Sequence, residues 1–114
     1  MVLLMIMALP LMPIGCMAGG PCTEALPQSF DAERWKAADT WDDTRCAMIV
    51  DLMYRKGLEG RSREDVIGLL GEPEDEHGEA DLSHWHLCPS FMDIWILEVR
   101  WQNGRVSKAW VRDT

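Results

Sequence analysis

The most constraining feature of the sequence is the dipeptide Asn103-Gly104, which separates two segments whose apolar residues alternate. A two-residue hairpin of type I′ needs positive φ at both central positions, and Asn followed by Gly meets that requirement best. The flanking segments Asp93–Gln102 and Arg105–Arg112 are therefore predicted to be antiparallel strands. A third strand is predicted over Ser83–Cys88, where alternate residues again differ in polarity.

Counting outward from a regular turn assigns the side chains of the hairpin to two faces. The pairs predicted in this way are Trp101 with Val106, Leu97 with Trp110, Ile96 with Val111 and Glu98 with Ala109. The face expected to pack on helices carries Trp95, Leu97, Val99, Trp101, Val106 and Trp110. Lys108 falls among these apolar residues, so a bulge or an edge position is expected there.

The opposite face of the predicted hairpin offers an apolar patch with a polar border, as protein–protein sites do. The predicted partner-binding residues are Ile94, Ile96, Ala109 and Val111. The alternative is that the segment from Phe30 to Trp41 folds back and covers this patch within the monomer.

Two helices are predicted ahead of the strands. Helix one follows Asp42 or Asp43 as its N-cap and ends at Gly57, with apolar residues at helical spacing between them. Helix two begins after the N-cap Ser62 and ends at Gly71. The predicted fold is therefore α+β, with two helices packed on one face of a three-stranded antiparallel sheet in the order ααβββ.

The first fifteen residues carry no charge and are nearly all apolar, and Cys16 follows them. Such a run is too short to cross the ~30 Å hydrocarbon core of a bilayer, but it fits the apolar region of a signal peptide. Ile14-Gly15-Cys16 resembles the end of a bacterial lipobox, in which the cysteine thiol is lipidated. We predict a lipoprotein-type signal peptide over residues 1–15 and lipidation of Cys16. The alternative is a signal peptide that is cut nearby without lipidation.

Residues 16–41 are predicted to hold the anchor cysteine, a Gly- and Pro-rich tether and a short flanking segment, and residues 42–114 the ααβββ domain. In the flanking segment, Asp31 is expected to cap a short helix over Ala32–Ala38. If Cys16 is acylated, three cysteines remain, and a disulfide between Cys46 and Cys88 is preferred because both lie in the folded part.

The formal net charge is −8, from 19 acidic and 11 basic residues. This balance disfavours nucleic-acid binding, which requires Lys and Arg to neutralise phosphates. It equally disfavours electrostatic attachment to an anionic membrane, so membrane association would depend on the lipid anchor.

The sequence contains no recognisable arrangement of catalytic residues, and we expect neither enzymatic activity nor a cofactor or metal. An alternative is a Zn²⁺ site formed by His84, His86 and Cys88, which alternate along a predicted strand. His77 would join them from residues 72–82, an acidic segment predicted to be a mobile loop.

The stretch Leu58–Pro73 resembles the helix-two signature of the BamE/SmpA/OmlA group of small outer-membrane lipoproteins, with Asp65 where that group has Glu or Gln. Trp95–Val106 is similar to the closing hairpin of the same group. The resemblance implies an ααβββ fold, which certain periplasmic β-lactamase inhibitor proteins share. It also implies an accessory role in outer-membrane β-barrel assembly or envelope integrity.

These observations together predict a non-catalytic lipoprotein, lipid-anchored at the periplasmic face of the outer membrane. Its expected partner is an envelope protein, with the β-barrel assembly machinery as the candidate that the resemblance indicates. The alternative is a soluble periplasmic inhibitor or regulator that binds a soluble enzyme.

Overall fold

The computed structural model describes residues 26–39, 41–90 and 92–114, so the predicted signal peptide and Cys16 lie outside the described residues. Its helices are α1 (Ala32–Ala37), α2 (Thr44–Asp51, continued by a π-helical turn over Leu52–Lys56) and α3 (Arg63–Leu70). Its strands are β1 (Asp75–His77), β2 (Leu82–Pro89), β3 (Ile94–Gln102) and β4 (Arg105–Asp113), with a 3₁₀ turn over Gly78–Ala80 between β1 and β2. The described part is therefore α+β, with three helices and one antiparallel sheet in the order β1-β2-β3-β4.

Local signals place the ends of α3 and the β3–β4 turn where the sequence predicts them. The Ser62 hydroxyl accepts a hydrogen bond from the Asp65 amide at 3.1 Å, which caps the first turn of α3. Gly71 ends the helix with a φ of +80°. Asn103 and Gly104 have φ values of +55° and +77°, as a type I′ turn requires.

The short helix expected in the flanking segment belongs to the packed helical layer, which in the described part has three helices and not the predicted two. Asp31 caps α1 by accepting a hydrogen bond from the Arg34 amide at 3.0 Å, and the helix runs to Ala37 instead of the expected Ala38. Its Trp35 side chain is fully buried in the core that the other helices share. The short helix is thus held by tertiary packing, since six residues are too few for a helix to be stable alone.

The sheet contains one strand more than the predicted three. Residues 75–77 form β1, which pairs with β2 and makes Asp75 the partner of His84 and His77 the partner of Leu82. The prediction of a mobile loop over 72–82 was wrong in this part. All three residues of β1 are polar and exposed, so they lack the apolar alternation that marks a strand in the sequence.

The core lies between the helices and one face of the sheet, which we call the inner face. Trp85, Leu97 and Val99 contribute to it from β2 and β3. A disulfide between Cys46 and Cys88 joins α2 to β2 across this core, with 6.0 Å between the Cα atoms, and it is the pair that the sequence analysis preferred. Because the closed loop spans 42 residues, the chain-entropy model gives the crosslink about 4 kcal/mol of stabilisation.

Arg45, the neighbour of Cys46 on α2, is a buried cation with partners in three other segments. Its Nε donates to the Trp35 carbonyl at 2.9 Å, and Nη1 donates to the His86 carbonyl at 2.8 Å. Nη1 also lies 2.9 Å from a carboxylate oxygen of Glu74, and the guanidinium stacks over the Trp35 ring at 5.1 Å. Arg45 therefore ties α1 and α2 to β2 and to the segment that leads into β1.

Arg45→Ala is expected to lower the free energy of unfolding by about 2–4 kcal/mol, because it removes the buried cationic donor that the Trp35 and His86 carbonyl groups and the Glu74 carboxylate share. The measurement is urea unfolding followed by tryptophan fluorescence. Lys36→Ala is the matched control: Lys36 forms an exposed pair with Glu33, and such pairs contribute about 1 kcal/mol or less. Equal losses in the two variants would contradict the role assigned to Arg45.

Asp51 fastens the segment before α1 to the end of α2. Its Oδ2 accepts a hydrogen bond from the Phe30 amide at 2.7 Å, and Arg55 Nε donates to its Oδ1 at 2.5 Å. The bonds from Arg55, followed by the bond from Phe30, lower the pKa of Asp51 to about 2. The carboxylate is thus stabilised in its ionised form by the folded state.

Because the pKa of Asp51 is lower in the folded chain than in the unfolded one, its contribution is complete above about pH 4 and is lost as pH falls towards 2. We expect Asp51→Asn to lose less stability than the wild type between neutral and acidic pH, measured by urea unfolding at each pH. Glu59→Gln, a change at an exposed carboxylate, serves as the control and should follow the wild type. Parallel curves for wild type and Asp51→Asn would refute this assignment.

Candidate functional site

Two β-bulges decide which side chains share a face of the sheet. In β4, Val106 pairs with Trp101 while Lys108 pairs with Arg100, so Ser107 is the extra residue. The Ser107 hydroxyl donates to the Arg100 carbonyl at 3.2 Å within this bulge. Side chains of a strand alternate between the two faces of the sheet. One extra residue therefore places every later residue of β4 on the face opposite to the one it would occupy in a regular hairpin.

The β4 bulge overturns most of the pairing predicted for the hairpin. Trp101 and Val106 pair as expected, because they precede the bulge. Beyond it the prediction was wrong: the observed pairs are Leu97 with Val111, Ile96 with Arg112, Glu98 with Trp110 and Val99 with Ala109. The bulge places Lys108 on the outer side of the sheet, away from the apolar residues that pack on the helices. The expectation of a bulge near Lys108 is therefore confirmed.

The predicted partner-binding patch is therefore divided between the two faces. Ala109 and Val111 pack against the core on the inner face, so their assignment to the opposite face was wrong. Ile96 does lie on the opposite face, which we call the outer face, but it is only 1% exposed. Ile94 lies at the end of that face and is half-buried. Trp110, predicted to pack on the helices, lies on the outer face instead.

A buried ionic network occupies the centre of the outer face. Glu98 on β3 is 5% exposed; Arg112 Nε donates to one of its oxygens at 2.8 Å, and His84 Nε2 is hydrogen-bonded to the other. Burial raises the pKa of Glu98, but the hydrogen bonds from Arg112 and His84 outweigh it, and the pKa lies below its usual range. Glu98 is thus an ionised carboxylate held between two donors.

Cations surround the Trp110 ring beside this network. The Arg100 guanidinium carbon lies 5.5 Å from the ring centroid, and Lys108 Nζ lies 5.8 Å from it. Both distances are within the range of cation–π attraction. Together with Arg112, these side chains form a basic region on a chain whose net charge is −8.

An open apolar groove lies at the end of the outer face where the β2–β3 connection turns. Trp41 and Met92 are 78% and 86% exposed, although large apolar side chains usually find cover. We call this feature the end groove; its lining consists of Trp41, His86, Pro89, Ser90, Met92, Asp93 and Ile94. The alternative that the Phe30–Trp41 segment covers the outer-face patch was wrong for most of the segment. Its Trp35 enters the core on the inner face. Its Trp41 reaches the groove beside Ile94 but stays exposed there.

The structure does not bring together the four residues of the alternative zinc site. His84 and His86 share the outer face, but the bulge at Leu87 turns Cys88 to the inner face, where it forms the disulfide. A different group is assembled instead: one ligand atom each from Asp75, His77 and His84 lie within 4.8 Å of one another. Asp75 could not be recognised from the sequence, because its place beside His84 follows from the pairing of β1 with β2.

Comparisons with protein-family models, with curated proteins and with solved structures gave no match to this chain. Among the described residues, no helix has both the length and the apolar character needed to cross a membrane.

Proposed function

We propose that this protein is a non-catalytic, lipid-anchored envelope lipoprotein that binds a partner protein through the end groove. The observation that carries the proposal is the exposure of Trp41 and Met92 on one groove, at 78% and 86%. Aromatic residues and methionine are enriched at protein interfaces, where a few of them supply most of the binding energy.

The composition of the groove supports a protein partner. Pro89 and Ile94 extend the apolar surface, while Ser90 and Asp93 add polar groups to it. An apolar centre with polar groups at its edge is the arrangement of a typical protein–protein site. The basic region around Trp110 lies on the same face and favours an acidic surface on the partner.

The covalent chemistry of the chain supports an extracytoplasmic location. The Cys46–Cys88 disulfide is of a kind that persists in oxidising compartments such as the periplasm. An apolar segment that ends at a lipobox-like Cys16 provides the route to that compartment and the anchor. The resemblance to the BamE/SmpA/OmlA group then favours a role as an accessory in outer-membrane protein assembly or envelope integrity.

Cys16→Ala is expected to release the protein from membranes, because no acyl chain can then be attached. The measurement is fractionation of bacterial cells that express the C-terminally tagged full chain. Cys22→Ala provides the matched control, since it removes a nearby cysteine that no lipobox-like sequence precedes, and it should remain with the membranes. Retention of the Cys16 variant in the membrane fraction would count against the anchor.

The partner is sought by gentle-detergent capture of the tagged protein from membranes, followed by mass spectrometry. Trp41→Ala combined with Met92→Ala should weaken capture about tenfold or more, as expected for the loss of interface anchors. Leu26→Ala, which truncates an exposed apolar residue outside the groove lining, is the control and should leave capture unchanged. Undiminished capture by the double variant would show that the end groove is not the binding site.

The identity of the captured protein separates the two functional hypotheses. Components of the β-barrel assembly machinery, lost with Cys16→Ala, would support the assembly role. A soluble periplasmic enzyme captured equally by both forms would favour the inhibitor or regulator hypothesis, in which the anchor is incidental.

A further inference from the structure

Pairing of β1 with β2 places two histidines and one aspartate on the same face of the sheet. Asp75 is the direct partner of His84, and His77 lies two residues further along β1 on the same side. The rings of His77 and His84 have centroids 4.8 Å apart, and His77 Nε2 lies 3.5 Å from a carboxylate oxygen of Asp75. The three side chains thus direct potential ligand atoms into one small volume, within 4.8 Å of one another.

His84 is held in the orientation that a metal-binding histidine needs. The residue is 7% exposed, and its Nε2 is hydrogen-bonded to the Glu98 carboxylate, to which Arg112 donates from the other side at 2.8 Å. In the neutral imidazole, which is the metal-binding form, the carboxylate accepts the hydrogen of Nε2, and the lone pair of Nδ1 is left free. Nδ1 has no hydrogen-bond partner among the described residues. Carboxylates of this kind orient histidine ligands and increase their basicity in metal sites.

The other two ligands can adapt to an ion. Asp75 and His77 are exposed and lie on a strand of three residues, so their side chains have room to rotate. Ligand atoms at about 2.0–2.2 Å from a zinc ion lie closer to one another than 4.8 Å. Rotation of the Asp75 and His77 side chains would bring the three ligand atoms to the shorter separation that the ion requires. Two imidazoles and one carboxylate, with an open fourth position, match the ligand preference of Zn²⁺.

We propose that Asp75, His77 and His84 form a Zn²⁺ site on the outer face, with Glu98 as the residue that positions His84. This site differs from the set His84, His86 and Cys88 that the sequence pattern offered, and it is independent of partner binding at the end groove. By joining β1 to β2, the ion would stabilise the part of the sheet that has the shortest strand.

The test is isothermal titration of the untagged full chain with zinc chloride, since a polyhistidine tag would itself bind the ion. We expect one equivalent of Zn²⁺ to bind. His77→Ala and Asp75→Ala should each weaken binding by about 10- to 100-fold or more, because each removes a ligand. His86→Ala is the matched control: this histidine lies on the same face but outside the cluster, and its removal should leave the affinity unchanged.

A second readout separates ligand loss from unfolding. Zn²⁺ should raise the melting temperature of the wild type and of His86→Ala but not of His77→Ala, since only ligand that binds the native state stabilises it. Circular dichroism without metal checks that His77→Ala is folded. The absence of binding to the wild type would overturn the proposal. Equal binding by wild type and His77→Ala would also overturn it, by assigning the ion to other groups of the chain.

Discussion

The arrangement of the described helices and strands depends on the hydrogen bonds that the Arg45 guanidinium donates. It is buried, and its partners come from α1, from β2 and from the segment that leads into β1. A buried cation is tolerated only when its donors are satisfied, so packings that separate these segments are strongly disfavoured. The Cys46–Cys88 disulfide fastens the adjacent residue of α2 to the same strand. The buried charge of Arg45 thus favours the one arrangement of helices and strands that satisfies its donors, and the disulfide stabilises this arrangement against unfolding.

The candidate metal site is a consequence of the same contacts. Glu74, which pairs with Arg45, also accepts a hydrogen bond from the His86 amide at 2.8 Å, and its own amide donates to the His84 carbonyl at 2.9 Å. These bonds hold Glu74 against β2, so residues 75–77 continue along the edge of β2 and pair with it as a strand. Asp75 and His77 reach His84 for this reason, although nothing in their own sequence favours a strand.

The surfaces proposed for binding on the outer face depend on bulges and on long-range packing. The extra residue Ser107 transfers Trp110 to the outer face, where cations surround it, and returns Ala109 and Val111 to the core. The end groove combines Trp41, which follows α1, with residues of the β2–β3 connection. Its two exposed apolar side chains, Trp41 and Met92, are about half the chain apart in sequence, so no local pattern identifies them as neighbours.

Features that local backbone chemistry controls could be predicted from the order of residues. Ser62 caps α3, Asn103-Gly104 forms the hairpin turn, and the order of the main helices and strands follows from apolar spacing. The faces of β4, the strand β1 and the environment of Glu98 could not be predicted in this way, because each depends on register and on partners distant in sequence. A single bulge reverses the face to which side chains point, and a polar segment becomes a strand only when a neighbouring strand supplies its hydrogen bonds.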